Sequence, residues 1–212
     1  MATDRWATFD CYGTLIDWNG GIRGELARVF GEERADEQLE RYHAAEPALQ
    51  ADGSRSYREV MTEAMRELGA SNEDAHRLAE SLPAWDPFPE VRAALEDARS
   101  RRWKLAILSN TDRDFIDASM ARLGVPFERA IVASEIGSYK PALAHWETFD
   151  REVGCPPDVH VAASLLHAIA PANALGLRSI WVNRLGERPG PEPTKELPDL
   201  RRLPDALEEV NA

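Results

Sequence analysis

The sequence predicts an α/β fold: a parallel, Rossmann-like sheet flanked by helices, with an all-helical insertion after the first strand. Three observations carry this. Short apolar runs stop on small polar or acidic residues at WATFD (6–10), KLAILSN (104–110), RAIVASE (129–135), VHVAAS (159–164) and LRSIWVN (177–183). Runs of this kind, without strict alternation, suit strands buried on both faces. Helical stretches separate most of them, which makes neighbouring strands parallel. Residues 17–85, however, show helical patterns and no convincing strand.

WATFD ends on Asp10 and leads into a tight turn containing Gly13. The insertion then holds RGELARVFGEE (23–33), DEQLERYHAAEPAL (36–49), SYREVMTEAMRELG (56–69) and NEDAHRLAESLPAW (72–85). Its size and place predict a cap domain over the mouth of a site. The Pro-rich WDPFPE (85–90) returns the chain to the core, giving a core domain of 1–16 with 86–212 and a cap domain of 17–85. Core helices are expected at PEVRAALEDARSR (89–101), DFIDASMARLG (114–124) and PALAHWETFDREVG (141–154), with Gly124 and Gly154 at C-terminal positions that favour glycine. RPGPEPTKELPD (188–199) reads as a surface loop. Ligands of such sheets bind beyond the carboxyl ends of the strands, where Asp10, Ser109 and Ser164 fall.

A length of 212 residues suits one core plus a smaller insertion. With 25 Lys and Arg against 37 Asp and Glu, the net charge of −12 opposes nucleic acid and anionic membrane surfaces as bulk partners. It leaves room for a small anionic substrate, which feels local charges. No apolar run is long enough to span a bilayer, and MATDRWATFD has no apolar signal core, so a cytoplasmic location is expected. Cys11 and Cys155 are too few for a disulfide scaffold or a cysteine metal site.

FDCYGTL (9–15) offers a strand-tip carboxylate followed by Gly13 and the Thr14 hydroxyl. Alone this is an ordinary strand end, since Asp often accepts backbone hydrogen bonds there. It is followed in order by LSNTD (108–112) and YKP (139–141), with the helical insertion in between. This set resembles the haloacid dehalogenase superfamily of hydrolases over nearly the whole chain. The resemblance implies Asp10 as nucleophile, Ser109 as the second-motif hydroxyl and Lys140 as the third-motif lysine. The chemistry agrees: a carboxylate nucleophile needs a positioned electrophile and relief of its charge. Lys140 can supply that relief, and Thr14 and Ser109 can donate hydrogen bonds.

Phosphatases of the superfamily place a second Asp two residues after the nucleophile, to protonate the leaving alcohol. Here that residue is Tyr12. A halide leaves as a stable anion and needs no proton, and FDCYGTL resembles the L-2-haloacid dehalogenase branch. LSNTDRDFID (108–117) and WVNR (181–184) look like segments of that branch too. The resemblance implies attack of Asp10 on C2 of a small 2-haloacid, then hydrolysis of the ester with net inversion, without a metal or any cofactor. The substrate carboxylate would meet the Cys11–Tyr12 turn and Ser109. Asn110 and a cap cation, for which Arg41 is preferred, would cradle the halide. Tyr42, His43 and Glu46 share the segment of Arg41, and Trp146 falls where the branch has an aromatic. Many relatives are dimers, so a homodimer is a possible assembly.

HVAASLLHAIAPA (160–172) departs from that branch. Ala163 fits an enzyme without magnesium, but Ala168 falls where the dehalogenases keep an acid that activates water. His167 is its neighbour, and adjacent residues of an α-helix point about 100° apart, so it is not expected simply to replace the acid. Three readings stay open: a variant made to trap the ester, a natural enzyme with another base (His167, His43 or Glu46), or a chain that has lost turnover and serves as a binding protein. A phosphatase for a small phosphate ester is the alternative activity.

Overall fold

The computed structural model describes residues 4–51, 53–188 and 190–212. β1 (Arg5–Phe9), β2 (Trp103–Ser109), β3 (Arg129–Val132), β4 (Val159–Ala162), β5 (Arg178–Val182) and β6 (Lys195–Leu197) form one parallel sheet of order β3-β2-β1-β4-β5-β6. Phe9, the last residue of β1, pairs with Ile107 on one side and Val161 on the other, so β2 and β4 run one or two residues past it. These three side chains are fully buried, and each contributes about 1.5–3 kcal/mol by leaving water. The chain builds β2 and β3 on one side of β1, then crosses to β4 on the other. The crevice at that reversal is where a doubly wound sheet binds its ligand.

The insertion consists of α1 (Trp18–Phe30), α2 (Ala35–Gln50), α3 (Tyr57–Glu67) and α4 (Arg77–Ser81), joined by single 3₁₀ turns and loops. Each start has a local cause where a cap is present. The Asp17 carboxylate accepts from Gly20 N at 3.0 Å, and Ser56 and Glu59 form a reciprocal capping box. The same end of α3 is held from outside, because Asp112 accepts from Tyr57 N and Arg58 N at 2.9 Å each. A carboxylate there also complements the positive end of the helix.

Around the sheet lie α5 (Val91–Ser100), α6 (Arg113–Leu123), α7 (Ala133–Ile136), α8 (Ala144–Val153), α9 (Ala170–Ala174) and α10 (Leu203–Asn211). Gly124 and Gly154 close α6 and α8 with φ of +66° and +84°. Two local expectations are corrected. The loop at 188–199 contains β6, an edge strand between Pro193 and Pro198 that pairs on one side only and buries Leu197. The end of RAIVASE turns into α7, because β3 stops at Val132. The C-terminal segment forms α10, whose Leu203, Ala206 and Leu207 lie on one buried stripe. Among the described residues, no helix is long and apolar enough to cross a membrane.

Candidate active site

Asp10 follows β1 directly, and its N–H donates to Val161 O at 3.0 Å, which locks the residue to the tip of β4. The chain then folds back: Leu15 N and Ile16 N donate to Cys11 O at 2.7 and 3.1 Å. Gly13 has φ of +83° and open space where a side chain would stand. The backbone conformation rather than crowding therefore calls for glycine. The turn brings Thr14 Oγ1 to 3.2 Å from Asp10 Oδ2, and the same hydroxyl accepts from Ala163 N at 2.9 Å.

Lys140 Nζ donates to Asp10 Oδ1 and to Leu108 O, both at 2.7 Å, and is almost wholly buried. Its backbone is fixed by the Asn110 side chain, which accepts from Lys140 N at 2.6 Å and donates to Lys140 O at 3.0 Å. His145 donates from Nε2 to Ser109 O at 3.1 Å. Burial, with help from Lys140, pushes the His145 pKa down to about 3, so it serves as a neutral brace. Arg184 of WVNR donates to Thr14 O at 2.8 Å, pairs with Glu90 at 2.7 Å and stacks on Phe88. Ser109 is buried and lines the same cavity as Asp10 and Lys140.

Tyr12 occupies the place of the missing second acid. Its hydroxyl meets Ser119 Oγ at 3.0 Å, and its ring stacks near Tyr57 and edges Trp85. Burial raises its pKa, so the phenol stays protonated. After β4 the chain makes one π turn, Leu165–Ile169, in which Ile169 N reaches back to Ser164 O at 3.1 Å and Ala170 N to Leu165 O. Ser164 Oγ caps it by accepting from His167 N at 3.1 Å. This turn is wider than an α-helical one, and His167 and Ala168 both line the cavity. The α-helical spacing expected from sequence does not apply there.

The cavity measures about 270 Å³ and also touches Trp18, His43, Glu46, Pro47, Gln50 and Tyr57 from the inserted helices. It lies under the roughly 300–1,000 Å³ typical of drug-sized ligands, so it suits a small one. On α2 the lining residues 43, 46, 47 and 50 follow the i, i+3, i+4, i+7 stripe of one helix face. Arg41 lies off that face. It is exposed, donating to Gln38 Oε1 at 3.1 Å and to Glu67 O, and corrects the expectation of a cap cation in the pocket. Glu46 instead points a carboxyl there, with Oε1 accepting from Tyr57 at 2.9 Å and Tyr42 at 3.2 Å. Burial pushes its pKa up to about 7, against the opposing pull of the two tyrosines. His43 stacks on Trp18 at 4.9 Å, and burial lowers its pKa.

The other residues singled out from sequence are structural in placement. Trp146 packs in a buried cluster with Trp6, Leu108, Ile131 and Phe149. His160 is buried with Nδ1 at 2.9 Å from Thr8 Oγ1. The Cys11 side chain belongs to the core, and Cys155 is exposed. Sequence reasoning gave no role to Asp112, His145, Arg184, Trp18 or Tyr57; the first and third sit inside the quoted motif segments, and the others carry no local signal. Among the described residues, no group of three His, Cys, Asp or Glu is placed to hold a metal ion. A second hollow of about 400 Å³, lined by Asp17, Gly20, Gly24 and Trp85, touches none of the residues around Asp10.

Comparison with known proteins places the chain in a family. The family model for haloacid dehalogenase-like hydrolases matches residues 5–162. Haloacetate dehalogenase H-2 of Moraxella sp. is 33% identical over 56% of this chain and 54% of its own length, so the chain spans about half of that relative. The (S)-2-haloacid dehalogenase of Pseudomonas sp. strain YL is 28% identical over 94% of this chain and 93% of its own. A phosphoserine phosphatase of Thermus thermophilus is 30% identical over 67% of this chain and 59% of its own. The solved L-2-haloacid dehalogenase of Xanthobacter autotrophicus with chloropropionic acid covalently bound superposes with a TM-score of 0.84, at 17% identity, over 97% and 99% of the two chains.

Proposed function

The chain belongs to the haloacid dehalogenase-like hydrolases, and from that premise we propose that it hydrolyses a small 2-haloacid through an ester formed on Asp10. The observation that carries the reading is the environment of that carboxylate: a buried lysine at 2.7 Å, a hydroxyl at 3.2 Å, and a protonated tyrosine where a phosphatase needs an acid. Lys140 offsets the charge of Asp10 and orients it. Asp10 attacks C2 of the substrate, and the halide departs with the bonding pair, so no proton donor is required.

Roles follow from placement. Thr14 bridges Asp10 and Ala163 N, holding the nucleophile against the β4 turn. Ser109 and the amides of the Cys11–Tyr12 turn are the groups proposed to receive the substrate carboxylate. Asn110 secures Lys140, with one N–H of its amide left for the ligand. The domain boundaries 1–16, 17–85 and 86–212 are part of the same proposal. They are supported by the bond from Asp17 N to Asp86 O, 3.0 Å, which sets the entry and exit of the insertion side by side.

A magnesium-dependent phosphatase fits less well. Magnesium takes hard oxygen ligands in a near-octahedral set. Beside Asp10 stand an ammonium group and hydroxyls, while Tyr12, Ala163 and Ala168 contribute no carboxylate. The test is incubation with L-2-chloropropionate, followed by a chloride assay and peptide mass mapping. Chloride release with the added propionate unit on the Asp10 peptide is expected. Phosphate release from small esters that needs magnesium, with no chloride release, would sink the proposal.

A further inference from the structure

We propose that His167 activates the water that hydrolyses the Asp10 ester, taking over the task of the acid displaced by Ala168. The inference rests on the ester reading above and concerns only its second half.

Once Asp10 is esterified, the proton acceptors lining the cavity are His43, Glu46 and His167. His43 is stacked flat on Trp18, and its Nε2 is buried with no hydrogen-bond partner among the described residues. Glu46 sits on α2, across the cavity, with Oε1 tied to two tyrosine hydroxyls. His167 stands on the β4 turn, next to the strand tip that carries Asp10. Its backbone N–H is fixed by Ser164 Oγ, and its ring makes no hydrogen bond to any described residue. It lines the cavity beside Ala168 from within the π turn.

The charged groups facing the ring are Asp10 and Lys140 on the sheet side, with His43 and Glu46 across the cavity. Burial and then Lys140 lower the His167 pKa, while Asp10 opposes them. The imidazole is therefore neutral at pH 7 and able to accept a proton. Forming the ester removes the Asp10 charge that favours the imidazolium, so the ring stays in the neutral, proton-accepting form when water attacks.

The step balances as follows. Water oxygen bonds to Asp10 Cγ while His167 takes one of its protons. The tetrahedral intermediate collapses with cleavage of the bond between Cγ and the former Asp10 carboxylate oxygen that now bridges to C2. That oxygen takes the proton from the imidazolium and leaves as the 2-hydroxyacid. The new carboxyl of Asp10 loses its remaining proton to solvent, and Lys140 pairs with it again.

The test compares wild type with His167→Gln and His167→Ala on L-2-chloropropionate, reading chloride and intact mass. In the variants, a chloride burst of one equivalent and accumulation of the ester are expected, with steady turnover lower by about 10²–10⁴-fold. A variant that still forms the ester is folded. Added imidazole should speed loss of the ester from His167→Ala. Unchanged turnover in both variants would overturn the proposal, as would a wild-type protein that stalls as the ester. If no protein forms ester or releases chloride, the Asp10 reading itself fails and takes this inference with it.

Discussion

On the sheet side of the cavity, Asp10, Thr14, Asn110 and Lys140 satisfy one another through bonds of 2.6–3.2 Å, and a cation is built in. On the helical side, Trp18, His43, Glu46, Gln50 and Tyr57 supply rings, an amide and one uneasy carboxyl, and among the described residues this side contributes no Arg or Lys to the lining. The first wall is fixed by strand tips and has one geometry to offer. The second is carried by helices whose exposed and lining faces differ by a rotation. In the proposed reaction the attack chemistry falls to the strand-tip wall, and admission of the substrate to the helical one.

The sheet side should break most completely. Replacing Asp10 by Asn removes the nucleophile, and chloride release should fall by about 10⁴–10⁶-fold with no ester in the mass spectrum. Retention of turnover would show that another group attacks. Lys140→Ala comes next. It leaves the Asp10 carboxylate at a site where only 14% of its side-chain surface is exposed. Removing one partner of such a pair costs on the order of 3 kcal/mol, readable by urea unfolding, and ester formation should slow with it.

How far each wall was legible follows from this contrast. Strand tips announce themselves because an apolar run ending in Asp10 or Ser109 has few alternative meanings, and the tight turn at Gly13 adds a second constraint. The strands from β1 to β5 could be read for that reason, while β6 could not, being three residues at an edge with one apolar side chain. The π turn was invisible because nothing in SLLHAIA distinguishes it from an α-helical start. On α2, Arg41 and His43 both look like polar residues of an amphipathic helix. Only the packing of Tyr42 and Glu46 decides which side meets the cavity.

Glu46 tests the helical side through pH. Its folded pKa of about 7 lies above the ordinary carboxyl value of 4.5. The folded protein thus holds this proton more tightly than the unfolded chain does. The associated stability is complete below about pH 4.5 and is lost as pH rises through about 7. The loss amounts to roughly 2–4 kcal/mol, and Glu46→Gln should flatten that part of the stability profile. Activity should move in the same window. If the substrate is the anionic 2-haloacid proposed, a protonated Glu46 should admit it and an ionised one repel it. kcat/KM should therefore fall through about pH 7 in wild type and stay level in Glu46→Gln. Because His167 acts after halide departure, its removal should alter kcat and leave this kcat/KM profile in place. Matching kcat/KM profiles for wild type and Glu46→Gln would refute the gating role.

The smallest effect is expected at Arg41, and it sharpens the comparison most economically. Two residues along an α-helix amount to about 200° of rotation, so Arg41 and His43 cannot share the lining face. Arg41 is exposed and spends its guanidinium on Gln38 and the Glu67 carbonyl. Arg41→Ala should change stability by less than about 0.5 kcal/mol, as exposed positions usually do. KM for L-2-chloropropionate should stay at the wild-type value. A rise in KM of about tenfold or more, equivalent to 1.4 kcal/mol, would mean that α2 turns Arg41 inward when substrate binds. In that case the helical wall would gain its cation from a rotation, and the pairing of Glu46 with two tyrosines would mark the resting arrangement of the helix.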